Sequence, residues 1–581
     1  MRSTVALLVL VAACGARADR YHPAEPAGRA APASRAAPAE ALGSHWMGQA
    51  QDALKERLAR PANLNKARNV IMFLGDGMSV PTLAAARALL GQRQQATGEE
   101  AQMTFETFPT SGLSKTYCVN SQVADSACSA TAYLCGVKTN QGLLGVDASV
   151  QRHNCESSID TARHVESIAE WALADGRDAG IVTTTRITHA SPAGVFAKTA
   201  NRNWENDAEV KSANQDINAC PDIAYQLIHK HPGNKFKVIL GGGRRNFLPT
   251  TVVDEESQSG RRTDGRNLIE EWQQDKAARQ VSFRYIWNVN ELLQVNDNLP
   301  EYLLGLFESN HLQYHMQANL NTEPTLEQLT ETAIRMLSRN EKGFFLFVEG
   351  GRIDHAHHDN LAHLALDETL EMDKAVKRAV ELLSEEDTLI VVTADHAHVM
   401  SYNGYSQRGN DILGPSRDSD MHNLPYMTLS YTNGPGFRPH VNGIRPDVTQ
   451  ENNYNAINWK SHVDVPLESE THGGDDVVVF ARGPHHTLFT GLYEQNQIPH
   501  LMAYAACIGP GLHSCNKADA TTAPPPEPTT TESATSPEAA TSPAPDTTTA
   551  STTTPQPSAA APVSATLTLF VLLTIVNLLM H

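Results

Sequence analysis

The chain has 581 residues, 41% hydrophobic and 6% aromatic, with 46 Lys+Arg against 65 Asp+Glu for a net charge of −19. That much apolar material can bury a large core, and so acidic a balance argues against nucleic acid as a partner. An anionic substrate would have to be drawn by local cations.

In chain order, Arg2, the apolar run 5–13 and Ala16-Arg17-Ala18 read as a signal peptide over residues 1–18, which implies secretion. Residues 19–43 form an Ala/Pro-rich linker, and periodicity predicts a helix over 46–60 that Pro61 stops. The runs NVIMFL (69–74), GFFLFV (343–348) and TLIVVT (388–393) are short and rich in β-branched or aromatic residues. They suit strands buried on both faces of a parallel sheet in an α/β fold. Between the first two, VADSACSATAYLCGVK (123–138) opens a helix at Asp125-Ser126 with no basic residue beside the serine. Gly241-Gly242-Gly243 lacks a Walker lysine and reads as a tight turn. Residues 404–470 are Gly-, Asn- and Pro-rich with little helical periodicity, and 518–562 form a Ser/Thr/Pro/Ala stalk that cannot build a core. The apolar tail 563–581 has no basic flank, and reads as a glycosylphosphatidylinositol (GPI) attachment signal that is removed.

Ser126 does not sit in a G-x-S-x-G elbow, so its activation points to metal ions. Asp/Glu/His clusters follow the predicted strands: Gly75-Asp76-Gly77, Glu349 to His358, Asp395-His396, and His472 after a polar turn. In open α/β sheets such strand ends converge where ligands bind. Asp354 and His358 are four apart and can grip one ion from one helical face, and mixed Asp/His ligation suits catalytic zinc. Asp76, Ser191 and Glu349 make an all-oxygen set better suited to magnesium. Because the clusters run from Asp76 to His472, one large domain over about residues 44–517 must hold them all. His311, His315, His440 and His485 read as ordinary histidines.

The segments GDGM, VADSACSATAYLCGVK, THASPAG, NRNW, VEGGRIDHAHH, TADHAHV and THGGDDVVVFARGP resemble animal alkaline phosphatases in the family's order, over roughly 46–515. The resemblance implies a large, mostly parallel central sheet flanked by helices, with 404–470 as a small crown insertion at a homodimer interface. It implies one zinc on Asp354, His358 and His472, and a second on Asp76, Asp395, His396 and Ser126. Magnesium falls to Asp76, Ser191 and Glu349, with His189 and His355 beside the ligands. Arg202 would fork onto two phosphate oxygens. A calcium site would use Glu256, the Phe307 carbonyl, Glu308 and Glu323. Disulfides Cys155–Cys220 and Cys507–Cys515 are implied, with Cys135 free. Eight cysteines less Cys14 of the signal peptide leave an odd seven. Cys118 and Cys128 depart from the vertebrate pattern and are candidates for a bridge around the Ser126 loop.

The implied activity is hydrolysis of phosphate monoesters through a phosphoserine, on the extracellular face of the cell membrane through a GPI lipid. Catalysis must approach ~10²¹-fold for such esters. A helix N-terminus under Ser126 supplies only about 0.3–1 kcal/mol, so metal ions must carry most of the effect. A sulfatase would carry Cys/Ser-x-Pro-x-Arg, whereas Ser126 is followed by Ala127-Cys128. A phosphodiesterase of the superfamily would use threonine and lack the magnesium ligands. A catalytically dead surface receptor would have lost ligands.

Overall fold

The computed structural model describes residues 38–515, apart from Asn452 and Asn455. The signal peptide, most of the linker, the stalk and the apolar tail lie outside the described residues. The core is a ten-stranded sheet: β1 (Asn69–Gly75), β2 (Thr110–Lys115), β3 (Asp178–Arg186), β4 (Val238–Gly242), β5 (Phe283–Ile286), β6 (Tyr302–Leu306), β7 (Phe344–Gly350), β8 (Thr388–Ala394), β9 (Val477–Arg482) and β10 (Gly491–Glu494). Its order is β10-β2-β9-β8-β1-β7-β3-β4-β6-β5. The strands from β8 to β5 run parallel, whereas β9 is antiparallel to both β8 and β2.

The three apolar runs read from the sequence are β1, β7 and β8, side by side at the centre and buried at every residue. Successive side chains point to opposite faces. Ile71, Phe73 and Leu346 therefore enter one helix-covered layer, while Met72, Leu74 and Phe347 enter the other. This register sends all three strand ends, with their acidic residues, to one sheet edge.

Four helices matter here: α1 (Gly43–Ala59), α2 (Ser126–Cys135), α3 (Arg352–His358) and α4 (Ala362–Leu382). Helix α1 has no buried residue. Gly243 turns at φ 92° and its N–H donates to the carbonyls of Glu308 and Asn310, so the triple glycine is a turn. Residues 404–470 contain no α-helix among those described. They carry the hairpin Pro415–Ser419 with Pro425–Met427, and Leu429–Gly434 paired with Val463–Pro466. Cys155–Cys220 and Cys507–Cys515 are bridged, as is Cys118–Cys128 with its Cα atoms 5.8 Å apart. Cys135 is free, and burial pushes its thiol up to about 12.

Candidate active site and metal centre

Ser126 is the first residue of α2 and almost fully buried. Asp125 caps the helix by accepting from the Cys128 N–H at 3.2 Å, satisfying one of the free donors of the first turn. Asp76 leaves β1, Glu349 lies at the end of β7, Asp354 and His358 share α3, and Asp395-His396 leave β8. Ser191 sits on the short helix Ala190–Ala193 after β3. His472 arrives on a two-residue strand paired with Ala397–His398. Every zinc, magnesium and nucleophile residue read from the sequence is thereby brought to one place.

The nitrogens converge as ligands do. His358 Nδ1 donates to the Glu470 carbonyl (2.6 Å) and His472 Nδ1 to the Ala124 carbonyl (2.7 Å). Both Nε2 atoms are therefore left as lone-pair acceptors. They lie 3.1 Å apart, each 3.4 Å from Asp354 Oδ1, which is an arrangement for one shared cation. On the deeper side, His396 Nε2 lies 3.0 Å from Asp395 Oδ2, 3.3 Å from Ser126 Oγ and 3.6 Å from Asp76 Oδ1. A Ser-His-Asp triad would place serine and aspartate on different ring nitrogens. Here one nitrogen faces all three, while His396 Nδ1 is buried without a partner. The third group follows: Ser191 Oγ donates to Asp76 Oδ2 at 3.4 Å, and Thr183 and Thr185 hydroxyls hold Glu349 Oε2.

Electrostatics favour cations here. Burial, reinforced by Asp395, Asp354 and Glu349, pushes the Asp76 carboxyl well above the usual carboxylate range. Burial pushes Glu349 up to about 7 against the hydrogen bond from Thr183. Asp76 Oδ1 and Glu349 Oε1 are buried without a hydrogen bond. Unpaired buried carboxylate oxygens facing like charges are unfavourable without a compensating ion. These residues therefore fit metal ions, with nitrogen-containing sets toward the mouth and beside Ser126 and an oxygen set behind. Arg202 NH1 donates to Asp125 Oδ2 at 3.0 Å, and NH2 lies 3.3 Å from His189 Nε2, which aims the guanidinium beside Ser126. His189 and His355 are ring neighbours at 5.3 Å, and burial first, then adjacent arginines, hold both below the ordinary histidine range.

Three features were missed from the sequence. Buried Glu470 accepts from Val399 N–H (2.8 Å) and His398 Nδ1, and His398 Nε2 donates to Asp354 Oδ1 at 2.7 Å. Against burial, Glu470 and Asp354 hold His398 up to about 10, so it braces Asp354 as an imidazolium. The ETHGG context of Glu470 was the only available signal. Asp125 was read only as part of the helix opening, yet it orients Arg202. His311, read as ordinary, packs at 5.5 Å from His189 and 4.3 Å from His355, because the turn after β6 returns it to the site. His315 instead pairs with Asp367 (2.8 Å) on α4.

Glu256, Glu308 and Glu323 also meet. Burial, a hydrogen bond with Glu308 and the charge of Glu256 push Glu323 up to about 9. Phe307 is buried beside them, and the Arg244 guanidinium already pairs with Glu256.

A parallel-sheet edge with clustered carboxylates and imidazoles around a serine in the first turn of a helix defines an α/β protein with a candidate metal-dependent catalytic centre. The alkaline phosphatase family profile matches residues 67–508. A membrane-bound alkaline phosphatase of Bombyx mori is 65% identical over 501 residues, covering 86% of this chain and 91% of that one. The tissue-nonspecific alkaline phosphatase of Gallus gallus is 47% identical, covering 82% and 91%. In structure, the Thermus thermophilus alkaline phosphatase aligns with TM-score 0.54 at 24% identity, covering 76% and 92%, a likeness of fold. The chain belongs to the alkaline phosphatase family and is a hydrolase of phosphate monoesters.

Proposed function

We propose that hydrolysis proceeds through a covalent phosphoserine on Ser126, at a centre built for two zinc ions and one magnesium ion. Asp354, His358 and His472 would hold one zinc; Asp76, Asp395, His396 and Ser126 the other; Asp76, Ser191 and Glu349 the magnesium. The observation that carries this reading is the convergence of Ser126 Oγ, Asp395 and Asp76 on His396 Nε2, with the second imidazole pair beside it. When bound, such cations lower the pKa of hydroxyl groups and stabilise developing negative charge.

The chain's own part is orientation and proton control. Arg202, held by Asp125, forks onto two non-bridging phosphate oxygens. Ser126 Oγ, fixed at the start of α2, gives its proton to solvent and bonds to phosphorus as the ester's P–O bond breaks, and the leaving alkoxide takes a proton from solvent to depart as the alcohol. Water then attacks phosphorus and gives up a proton as the P–Oγ bond breaks, Oγ regains a proton, and phosphate is released with the Ser126 hydroxyl restored. The more exposed His358 and His472 mark the side open to the leaving group.

The same reading extends to the whole chain. Residues 1–18 are a signal peptide, 44–517 the catalytic domain of a homodimer with 404–470 at its interface, and 563–581 a segment exchanged for a GPI lipid on the extracellular face of the cell membrane. The Bombyx mori relative is membrane-bound by name, and no helix among the described residues is long and apolar enough to cross a membrane. Glu256, Phe307, Glu308 and Glu323 would hold calcium.

Chelation and reconstitution test the proposal. Chelated enzyme is expected to lose activity, regain it with zinc, gain more with magnesium, and work best at alkaline pH. Activity indifferent to chelators, or an optimum well below neutrality, would contradict it.

A further inference from the structure

Arg352, the first residue of α3, is half-buried at the rim of the site. Its guanidinium lies over the Tyr314 ring, 3.9 Å from the centroid, and NH1 lies 3.0 Å from His355 Nδ1. Its Nε has no hydrogen-bond partner, and it forms an ion pair with no carboxylate among the described residues. The neighbouring arginines differ. Arg202 is paired with Asp125 at 3.0 Å, and Arg186 grips Glu205 through two bonds of 2.6 and 2.7 Å. In a chain of net charge −19, one stacked guanidinium beside the centre thus has no carboxylate in direct contact, the buried Glu368 carboxyl acting on it only from a distance.

The surroundings keep it so. His311 Nδ1 accepts from the Arg186 N–H at 3.2 Å, and its other nitrogen also faces the Arg186 guanidinium. The His311 ring fills the space between Arg186 and His355 without adding a carboxylate. From Arg352 the contacts run through His355 to His189 and from His189 to Arg202, so this shelf adjoins the phosphate clamp but is separated from it by two imidazole rings. A guanidinium fixed by ring stacking presents its N–H edge to planar or tetrahedral oxyanions.

We propose that Arg352, set on Tyr314 and flanked by His311, forms a second anion subsite, for phosphomonoesters whose alcohol carries another phosphate several atoms from the one transferred. This rests on the phosphoserine reading and adds a substrate class to it. The distal phosphate binds in ground and transition states alike, so its contribution appears mainly in KM.

The test compares butyl phosphate with butane-1,4-diol bisphosphate on the metal-replete enzyme, since the two leaving alcohols have similar reactivity. Wild type is expected to show the higher kcat/KM for the bisphosphate, beyond the statistical factor for its two ends, with the preference shrinking as salt rises. Arg352→Met, which keeps bulk without charge, is expected to lower kcat/KM for the bisphosphate about tenfold more than for butyl phosphate. Arg352→Lys is expected to retain part of the preference. Equal losses on both substrates in Arg352→Met, or no preference in wild type, would overturn the subsite. Retained turnover of both substrates by Ser126→Ala would instead overturn the phosphoserine reading.

Discussion

At the residue scale the site depends on groups that need never touch a metal. Glu470 holds His358 through its carbonyl and His398 through its carboxylate, and His398 in turn holds Asp354. Outer partners of this kind are worth roughly 10–100-fold in metal affinity. Glu470→Gln is therefore expected to fold normally but to need about that much more zinc, measured by titrating the metal-free protein; unchanged affinity would show that Glu470 is a bystander. The acidic pocket behind gives a pH effect of definite sign. Burial raises Glu349 to about 7 in the metal-free protein, and Asp76 is raised with it. A carboxyl with a raised folded pKa stabilises the fold at pH below its unfolded value and loses that stabilisation as pH rises through the folded one. His189 and His355, held low by burial, act in the opposite direction over the same window, so the effect is read as a difference: relative to Glu349→Gln, chelated wild type should lose thermal stability between about pH 4.5 and 7, and magnesium should restore it. Parallel pH profiles for the two chelated proteins would contradict the carboxylate assignment.

At the scale of elements, helix α2 is positioned from both ends of its first turn. Asp125 caps it while clamping Arg202, and the Cys118–Cys128 bridge ties its third residue to the preceding loop. Closing so short a loop constrains the unfolded chain by roughly 2–3 kcal/mol. Replacing both cysteines by alanine is expected to lower the melting temperature by several degrees and to raise KM for phosphomonoesters through a looser Asp125–Arg202 pair. Full stability and unchanged KM would leave the bridge without a role. The central strands were legible because NVIMFL, GFFLFV and TLIVVT are buried on both faces, where composition and position agree. Their terminal acids were legible because ligand chemistry falls directly after them. The crossing order of the strands was not legible, since every run would suit any central position. Nor was the placement of His311, Arg352 and Glu470, which reach the site only through long connections, nor the Cys118–Cys128 geometry, which spacing does not fix.

At the scale of the whole molecule, α1 has no buried residue, although Trp46, Met47, Leu54 and Leu58 recur at helical spacing along it. An apolar stripe that none of the described residues covers suits burial against a second copy. Removing residues 38–59 is expected to shift the protein toward monomer in sedimentation, with little loss of the catalytic centre; an unchanged dimer would place the interface elsewhere. Turnover through a phosphoserine stands or falls on Ser126. The most direct measurement is to quench turnover of a radiolabelled phosphomonoester in acid and map the label by peptide sequencing. Phosphate is expected on Ser126 in wild type and none in Ser126→Ala, with zinc content largely retained. Label on another residue, or a fully active Ser126→Ala enzyme, would contradict it.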